Sequence, residues 1–206
     1  MPKLFSYVVD HDYGYAPNPS KGTCSLVHCK FGGLGGKRNI VEMADEGDWI
    51  LGTGGSGRHS AGNGRIIYAM RVDRKIPFSQ YLSDPAYAGR NDCHDLGHGN
   101  LFALLSNHFF YFGRNALDVD RLPSGIDRSR LFKYGMGYRS DMPPPQMRLL
   151  IKWLEKTFRP GVHGHPCSGQ LSEIDGVIRV RFRCRRPAPL IGPSTQEKFN
   201  RCARRT

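Results

Sequence analysis

No run of about 20 consecutive apolar residues occurs in this 206-residue chain, so nothing in it has the length to span a bilayer as a helix. Its six cysteines (Cys24, Cys29, Cys93, Cys167, Cys184 and Cys202) include no paired C-x-x-C. The first ten residues carry one Lys, a short apolar stretch and an Asp, which reads as a strand and not as a secretory leader. These two absences point to a cytoplasmic chain with free thiols rather than a disulfide framework. Also missing are a G-x-S-x-G elbow, an H-E-x-x-H motif and a Cys–His signature in a recognised setting. The glycine run at 52–58 does not end in the Lys-Ser/Thr of a P-loop, so hydrolysis of nucleoside triphosphates is not implied. No internal repeat is present. Negative charge is scarce as well: 18 Asp and Glu stand against 30 Lys and Arg, a formal charge of +12.

The positive excess is concentrated. Between 179 and 206, nine basic residues (Arg179, Arg181, Arg183, Arg185, Arg186, Lys198, Arg201, Arg204 and Arg205) accompany one acid, Glu197, so this segment supplies +8 of the total. Such a footprint favours phosphate contact, which is sequence-independent and salt-sensitive. The plainer role for it is solubility. An apolar share of 39% supports a core, because a chain of this size buries about 70% of its unfolded surface. Twenty-five glycines and fourteen prolines imply many turns, which favours an α+β or mostly β fold over a helical bundle.

Along the chain, residues 3–10 alternate Leu4, Ser6 and Val8 with Phe5, Tyr7 and Val9, as a well-buried first strand does. A second strand is expected at 23–29 and a helix of about two turns at 38–46, with Ile40, Val41 and Ala44 on one side. Two β-prone runs, from Trp49 and from Arg65, read as neighbouring antiparallel strands joined by a Gly-Ser loop. Residues 84–100 read as a long loop, 101–112 as a strand and 117–145 as irregular. The clearest helix spans 146–158, with Met147, Leu150, Ile151, Leu154 and Phe158 on one face, Pro145 at its start and Pro160 beyond its end. A last strand at 177–184 places Val177, Arg179, Arg181 and Arg183 on one side. A flexible basic tail is expected over 187–206, after a single domain of residues 1–186.

Three constellations carry chemistry. Tyr7, Tyr13, Tyr15, Trp49 and Tyr68 lie on or beside the best strands and offer faces on which a base stacks, at about 1–3 kcal/mol per base. Asp12 and Asn18, with Asp10, are placed to read a base edge. Core packing is the competing role for each of these aromatics. The run Gly52-Thr53-Gly54-Gly55-Ser56-Gly57-Arg58 offers converging backbone N–H groups and a cation to a phosphate, through Gly54, Gly55 and Arg58. A plain hairpin loop accounts for it equally. Asp92, His94, Asp95 and His98 are types that move protons or bind metals. With two glycines among them and no second ligand pair at a zinc spacing, a loop fixed by Asx and His hydrogen bonds is the simpler reading. No metal and no cofactor is assigned.

Two resemblances bear on function. The order of short helix, Gly47-Asp48-Trp49-Ile50, glycine run, Arg65-Ile66-Ile67-Tyr68-Ala69-Met70-Arg71-Val72 and Ile76-Pro77-Phe78 is similar to PUA-like β-barrels, especially the EVE and YTH branches. In those an aromatic-lined pocket holds a flipped or modified base. More broadly, Ser6-Tyr7-Val8-Val9, Asp12-Tyr13-Gly14-Tyr15-Ala16-Pro17-Asn18-Pro19, Gly52-Thr53-Gly54, Asn91-Asp92 with His94-Asp95-Leu96-Gly97, and Phe110-Tyr111-Phe112-Gly113 together resemble the second type of nucleotide-modification-associated domain. That resemblance covers most of residues 4–158 and implies association with DNA base-modification systems of phages and bacteria. The expectation is an α+β, PUA-like (EVE-like) small mixed β-barrel with a packed helix, long loops and a basic C-terminal tail. Its expected partner is nucleic acid, DNA before RNA, or a nucleotide. The expected function is recognition of a modified or extruded base, and the alternative is an enzyme that uses the 92–98 loop beside the same pocket.

Overall fold

The computed structural model describes residues 1–27, 39–90, 92, 101–133 and 137–168, and the backbone of 170–174 and 177–181. In chain order its elements are β1 (Leu4–His11), β2 (Asn18–Ser20), β3 (Thr23–Leu26), α1 (Ile40–Met43), β4 (Trp49–His59), β5 (Arg65–Arg71), β6 (Arg74–Pro77) and α2 (Phe78–Ser83). They continue with β7 (Phe102–Ser106), β8 (Phe109–Tyr111), β9 (Leu117–Asp118), α3 (Arg128–Leu131), β10 (Tyr138–Arg139), α4 (Pro144–Thr157), β11 (Gly161–Val162), β12 (Gln170–Ile174) and β13 (Val177–Arg181). The larger sheet has the order β10-β1-β4-β5-β8-β11, with β9 also on β5. The smaller has the order β2-β3-β7-β6, and β12 pairs β13 by itself. The class is mixed α/β, with two main sheets and few helices.

Side-chain alternation builds three apolar layers. Leu4, Trp49, Leu51, Ala69 and Phe110 leave one face of the larger sheet and meet Met147, Leu150 and Leu154 of α4. Phe5, Tyr7, Val9, Ile50 and Met70 leave the other face and meet Cys24, Leu26 and Leu104 of the smaller sheet, with Ile40 and Val41 of α1. Ala103, Leu105 and Ile76 then carry Phe78 and Tyr81 of α2. Each large apolar side chain taken wholly out of water contributes about 1.5–3 kcal/mol. The helix expected at 146–158 is α4, with Pro144 in its first turn and its buried residues on helical spacing. The helix expected at 38–46 is shorter: one turn, Ile40–Met43, capped by the Asn39 side chain, which accepts from the Val41 N–H at 2.9 Å.

The strand expected at 101–112 is two strands, β7 and β8, in different sheets. Asn107 and His108 make the corner between them, and Val72 and Asp73 make the matching corner between β5 and β6. Because β5 pairs β8 and β6 pairs β7, one long hairpin bends across both sheets. Asp73 Oδ2 accepts from the N–H of Asn107 (2.7 Å) and of His108 (3.2 Å), which pins the two corners together. The expected barrel does not close. Two-residue corners turn the strands into a second, packed layer, and among the described residues β10 and β11 remain edges of the larger sheet, β2 and β6 of the smaller.

The glycine run is the second correction. It is no loop: β4 runs straight through it to His59, pairing in parallel with β1 (Gly52 with Tyr7, Gly54 with Val9) and antiparallel with β5. The glycines are there for space. A Cβ on Gly52 would sit 2.2 Å from the Tyr68 ring, and one on Gly54 only 1.9 Å from the Gly62 carbonyl oxygen. The real turn follows at 60–64, where Gly62 and Gly64 take positive φ of 94° and 72°. Among the described residues no helix is long and apolar enough to cross a membrane. The domain limit at 186 and the tail 187–206 lie outside the described residues. Gly54→Ala should destabilise the fold by about 1–3 kcal/mol through overpacking against backbone. Urea denaturation followed by tryptophan fluorescence would measure it; a midpoint within error of wild type would contradict the packing role.

Candidate functional site

The far ends of β1 and β4 create the site. The parallel ladder slips between Val9 and His11, so His11 comes into register with His59. Asp10, the residue left over, tucks against the glycines: a Cβ on Gly55 would lie 2.4 Å from Asp10 Oδ1, and one on Gly57 2.5 Å from the Asp10 carbonyl oxygen. Three rings converge as a result. Tyr13 lies 5.6 Å from His59 and 6.0 Å from His11, and the two imidazoles are 6.2 Å apart. His11 is exposed, Tyr13 and His59 are half-buried, and exposed Arg58 adjoins them on β4.

Beneath the rings is a carboxylate. Asp12 is buried, and its oxygens are fully engaged: Oδ1 accepts the Tyr111 hydroxyl at 2.6 Å and the Gly14 N–H at 3.3 Å, while Oδ2 accepts the Cys167 N–H at 3.1 Å. Its backbone is held too, N–H to the His59 carbonyl (2.9 Å) and C=O from the Ser168 N–H (2.9 Å). Ser168 Oγ in turn hydrogen-bonds His59 Nδ1. Residues 163–168 reach this position along β8: His163 N–H donates to the Tyr111 carbonyl at 2.7 Å and Arg114 N–H to the His165 carbonyl at 2.8 Å.

Burial and the neighbouring Asp12 charge hold the Tyr111 phenol well above the ordinary tyrosine range. Burial and then Asp12 push the half-buried Cys167 thiol up to about 12. It is therefore a protonated thiol at neutral pH and no nucleophile. Burial likewise raises the Cys24 thiol.

Several residues expected to face a ligand are structural instead. Trp49 is 5% exposed, in the layer under α4, edge-on to His108 at 5.6 Å. Tyr7 and Tyr68 are buried between the sheets, and the Tyr68 hydroxyl donates to that of Tyr7 at 2.9 Å. Aromatics at inward positions of buried strands belong to the core, which is why these three are not at a surface. Asn18 is buried in β2, and Asp12 has no oxygen left for a base edge. Gly54 and Gly55 lie in a strand whose neighbours crowd their α-carbons, so they form no phosphate loop. Tyr13 meets His11 and His59, Arg58 is exposed on β4 next to His59 in sequence, and Tyr15 is half-buried in the same loop as Tyr13. Arg179 and Arg181 fall on β13, where only backbone is described, and Arg183 lies outside the described residues.

Of the 92–98 group, His94, Asp95 and His98 lie outside the described residues. Asp92 is fully buried: it accepts the Tyr81 hydroxyl (2.9 Å) and the Ser25 hydroxyl, with Arg90 Nε 3.8 Å away. Arg90 Nη atoms donate to the carbonyls of Asn18 (2.6 Å), Ser20 (3.1 Å) and Thr23 (3.1 Å), so this pair fastens the β2–β3 hairpin. His11, His59, Tyr111 and Ser168 also belong to the site, and no sequence motif marks them as site residues. His11 was visible beside Asp12 and Tyr13, but the partnership with His59 depends on carrying β4 through its glycines. Among the described residues no three His, Cys, Asp or Glu side chains converge as a metal site would need.

A mixed α/β domain with a ring platform over a buried carboxylate is thus the class the geometry defines. Residues 1–100 match the family model described as nucleotide modification associated domain 2, which shows the family resemblance over that stretch. The matched residues include His11, Asp12, Tyr13, Arg58 and His59. No curated protein and no solved structure matches the chain.

The Tyr111–Asp12 bond gives a signed pH dependence. In the unfolded chain the phenol ionises near pH 10, while in the fold it stays protonated. Its contribution is therefore complete below about pH 10 and is lost as pH rises beyond that. Tyr111→Phe should lose about 1.5–3 kcal/mol at pH 7, a hydrogen bond to a charged group. Its melting temperature should also fall less between pH 9 and 11 than that of wild type; parallel pH profiles would count against the assignment.

Proposed function

We propose that this chain is a nucleic-acid-binding module that takes a modified or extruded base of a DNA strand onto the His11–Tyr13–His59 platform. The observation that carries the reading is the convergence of three incompletely buried rings within the residues that match a nucleotide-modification-associated family, with Arg58 exposed on the same strand as His59. Flat rings stack on any base, and the imidazoles add donors and acceptors for its edge. Arg58 and, by sequence, the arginines at 179, 181 and 183 supply backbone contact. Phosphate contacts give affinity and the platform gives choice. The family match over residues 1–100 supports a role in a DNA base-modification system.

A second reading, an enzyme acting on nucleotides or DNA bases, has one observation in its favour. The Ser168 hydroxyl sits on His59 Nδ1, the pairing by which an imidazole activates a hydroxyl nucleophile. Asp92, in its buried network, takes no part in that pairing.

Fluorescence anisotropy on short single- and double-stranded DNA, with and without modified bases, tests the first reading. Tyr13→Ala should weaken binding about tenfold and erase any preference for the modified base. Arg58→Gln should weaken all sequences alike and lower the salt slope by about 1. Selectivity that survives Tyr13→Ala would refute the platform. Turnover of a nucleotide or base that disappears in Ser168→Ala would move the assignment to the second reading.

A further inference from the structure

A cavity of about 240 Å³ opens on the smaller sheet, between the β2–β3 turn, the β7 corner and the short turn Pro85–Tyr87. It shares no residue with the ring platform. Lys21, Thr23, Arg74, Tyr87, Arg90 and Asn107 line it, and polar groups dominate its surface. At about 30 Å³ per water it holds roughly eight, more than a lone phosphate displaces.

Its charge is lopsided. Among the described residues the one acid in the wall, Asp73, is turned onto its own corner: Oδ1 accepts from Arg71 Nε at 2.6 Å and Oδ2 from the N–H groups of Asn107 and His108. Lys21 and Arg74 are exposed cations on the wall. Arg90 lines the cavity from within, 2% exposed, and among the described residues its Nε has no hydrogen-bond partner, an Asp92 carboxylate oxygen lying 3.8 Å away. A buried guanidinium N–H left without an acceptor is rare and costly.

Backbone geometry adds an independent sign. Lys21 has φ +48° and Gly22 φ +75°, the left-handed pair of a two-residue hairpin turn. Gly, Asn or Asp suits the first of these positions and Lys does not. Among the described residues Lys21 is the one non-glycine with positive φ. Strain of that kind, holding a cation at the edge of a polar cavity, is what a binding residue explains and a mere turn residue does not.

We propose that this cavity binds a phosphate monoester of mononucleotide size, with Lys21 and Arg74 on the phosphate oxygens and Arg90 as the inner donor. Calorimetric titration of the full chain at low salt tests it with three probes: thymidine 5′-monophosphate, thymidine and inorganic phosphate. The monophosphate should bind, thymidine should not, and phosphate should compete more weakly than the nucleotide. Arg74→Gln and Lys21→Gly should each weaken the monophosphate about tenfold. Lys21→Gly also relieves the positive-φ strain, so its melting temperature should hold or rise while binding falls, which separates loss of site from loss of fold. Absence of heat with both phosphate probes would overturn the proposal. So would a monophosphate affinity unchanged by both variants, or one lost in Tyr13→Ala and kept in Lys21→Gly, which would place the ligand on the ring platform. Phosphate binding as tightly as the nucleotide would overturn the sugar-bearing ligand.

Discussion

Asp12 is a carboxylate withdrawn from water where three parts of the chain meet, and the site takes its shape from that fact. Burying an ionised group is costly unless hydrogen bonds replace its hydration. The replacements come from different places: Gly14 in its own loop, Tyr111 on β8, and Cys167 after β11. Each donor therefore anchors a separate segment to one point. His11 and Tyr13 flank Asp12 in sequence, and Ser168 follows Cys167, so fixing the carboxylate fixes the rings and the hydroxyl above it. Without the Asp12 carboxylate, residues 165–168 would be held near the end of β4 by fewer bonds, among them those of Arg114 to His165 and Pro166 and the His59–Ser168 bond.

The smaller sheet uses the same device with a different partner. Asp92 is balanced by a guanidinium and two hydroxyls, whereas Asp12 is held by neutral donors alone. Cys24 stands within the field of both clusters: its thiol senses Arg90 and Asp92, and the Tyr111 phenol senses Asp12 and Cys24. Buried polar clusters specify one arrangement of a core, because alternatives leave more of their groups unpaired. Here they specify how two sheets joined by two-residue corners sit on each other, a relation that apolar packing alone would leave less defined.

Much of the fold was legible and its joints were not. Alternation in β1 and the helical spacing of Met147, Leu150 and Leu154 announced those elements, because burial imposes its period on sequence. The antiparallel pairing of β4 with β5 was legible for the same reason. The glycines of β4 misled because glycine marks both turns and close approach, and only the neighbour at 1.9 Å from a Gly54 Cβ decides between them. The sheet change at Asn107 and His108 was invisible because a two-residue corner hardly disturbs an apolar run. Trp49, Tyr7 and Tyr68 were placed at a ligand because composition does not say which face of a strand looks inward. Asp12 is expected from sequence to read a base edge, but it is buried and bonded to Tyr111, a partner 99 residues away that no local pattern reveals.

The residues proposed to face a ligand differ in placement from the buried aromatics. Tyr7 and Tyr68 sit within regular strands and Trp49 opens β4 beneath α4, while His11 and His59 close their strands, Tyr13 lies in the loop beyond and Lys21 is in a turn. Loops carry binding groups well when a rigid scaffold positions them. In this chain that scaffold consists of the two buried carboxylates with their donors, one under the rings and one behind the cationic cavity. Asp12 thereby sets the spacing of groups suited to a base, and Asp92 holds the arginine suited to a phosphate. That division places rigidity in two buried carboxylates and leaves the exposed rings and cations open to change without loss of the fold.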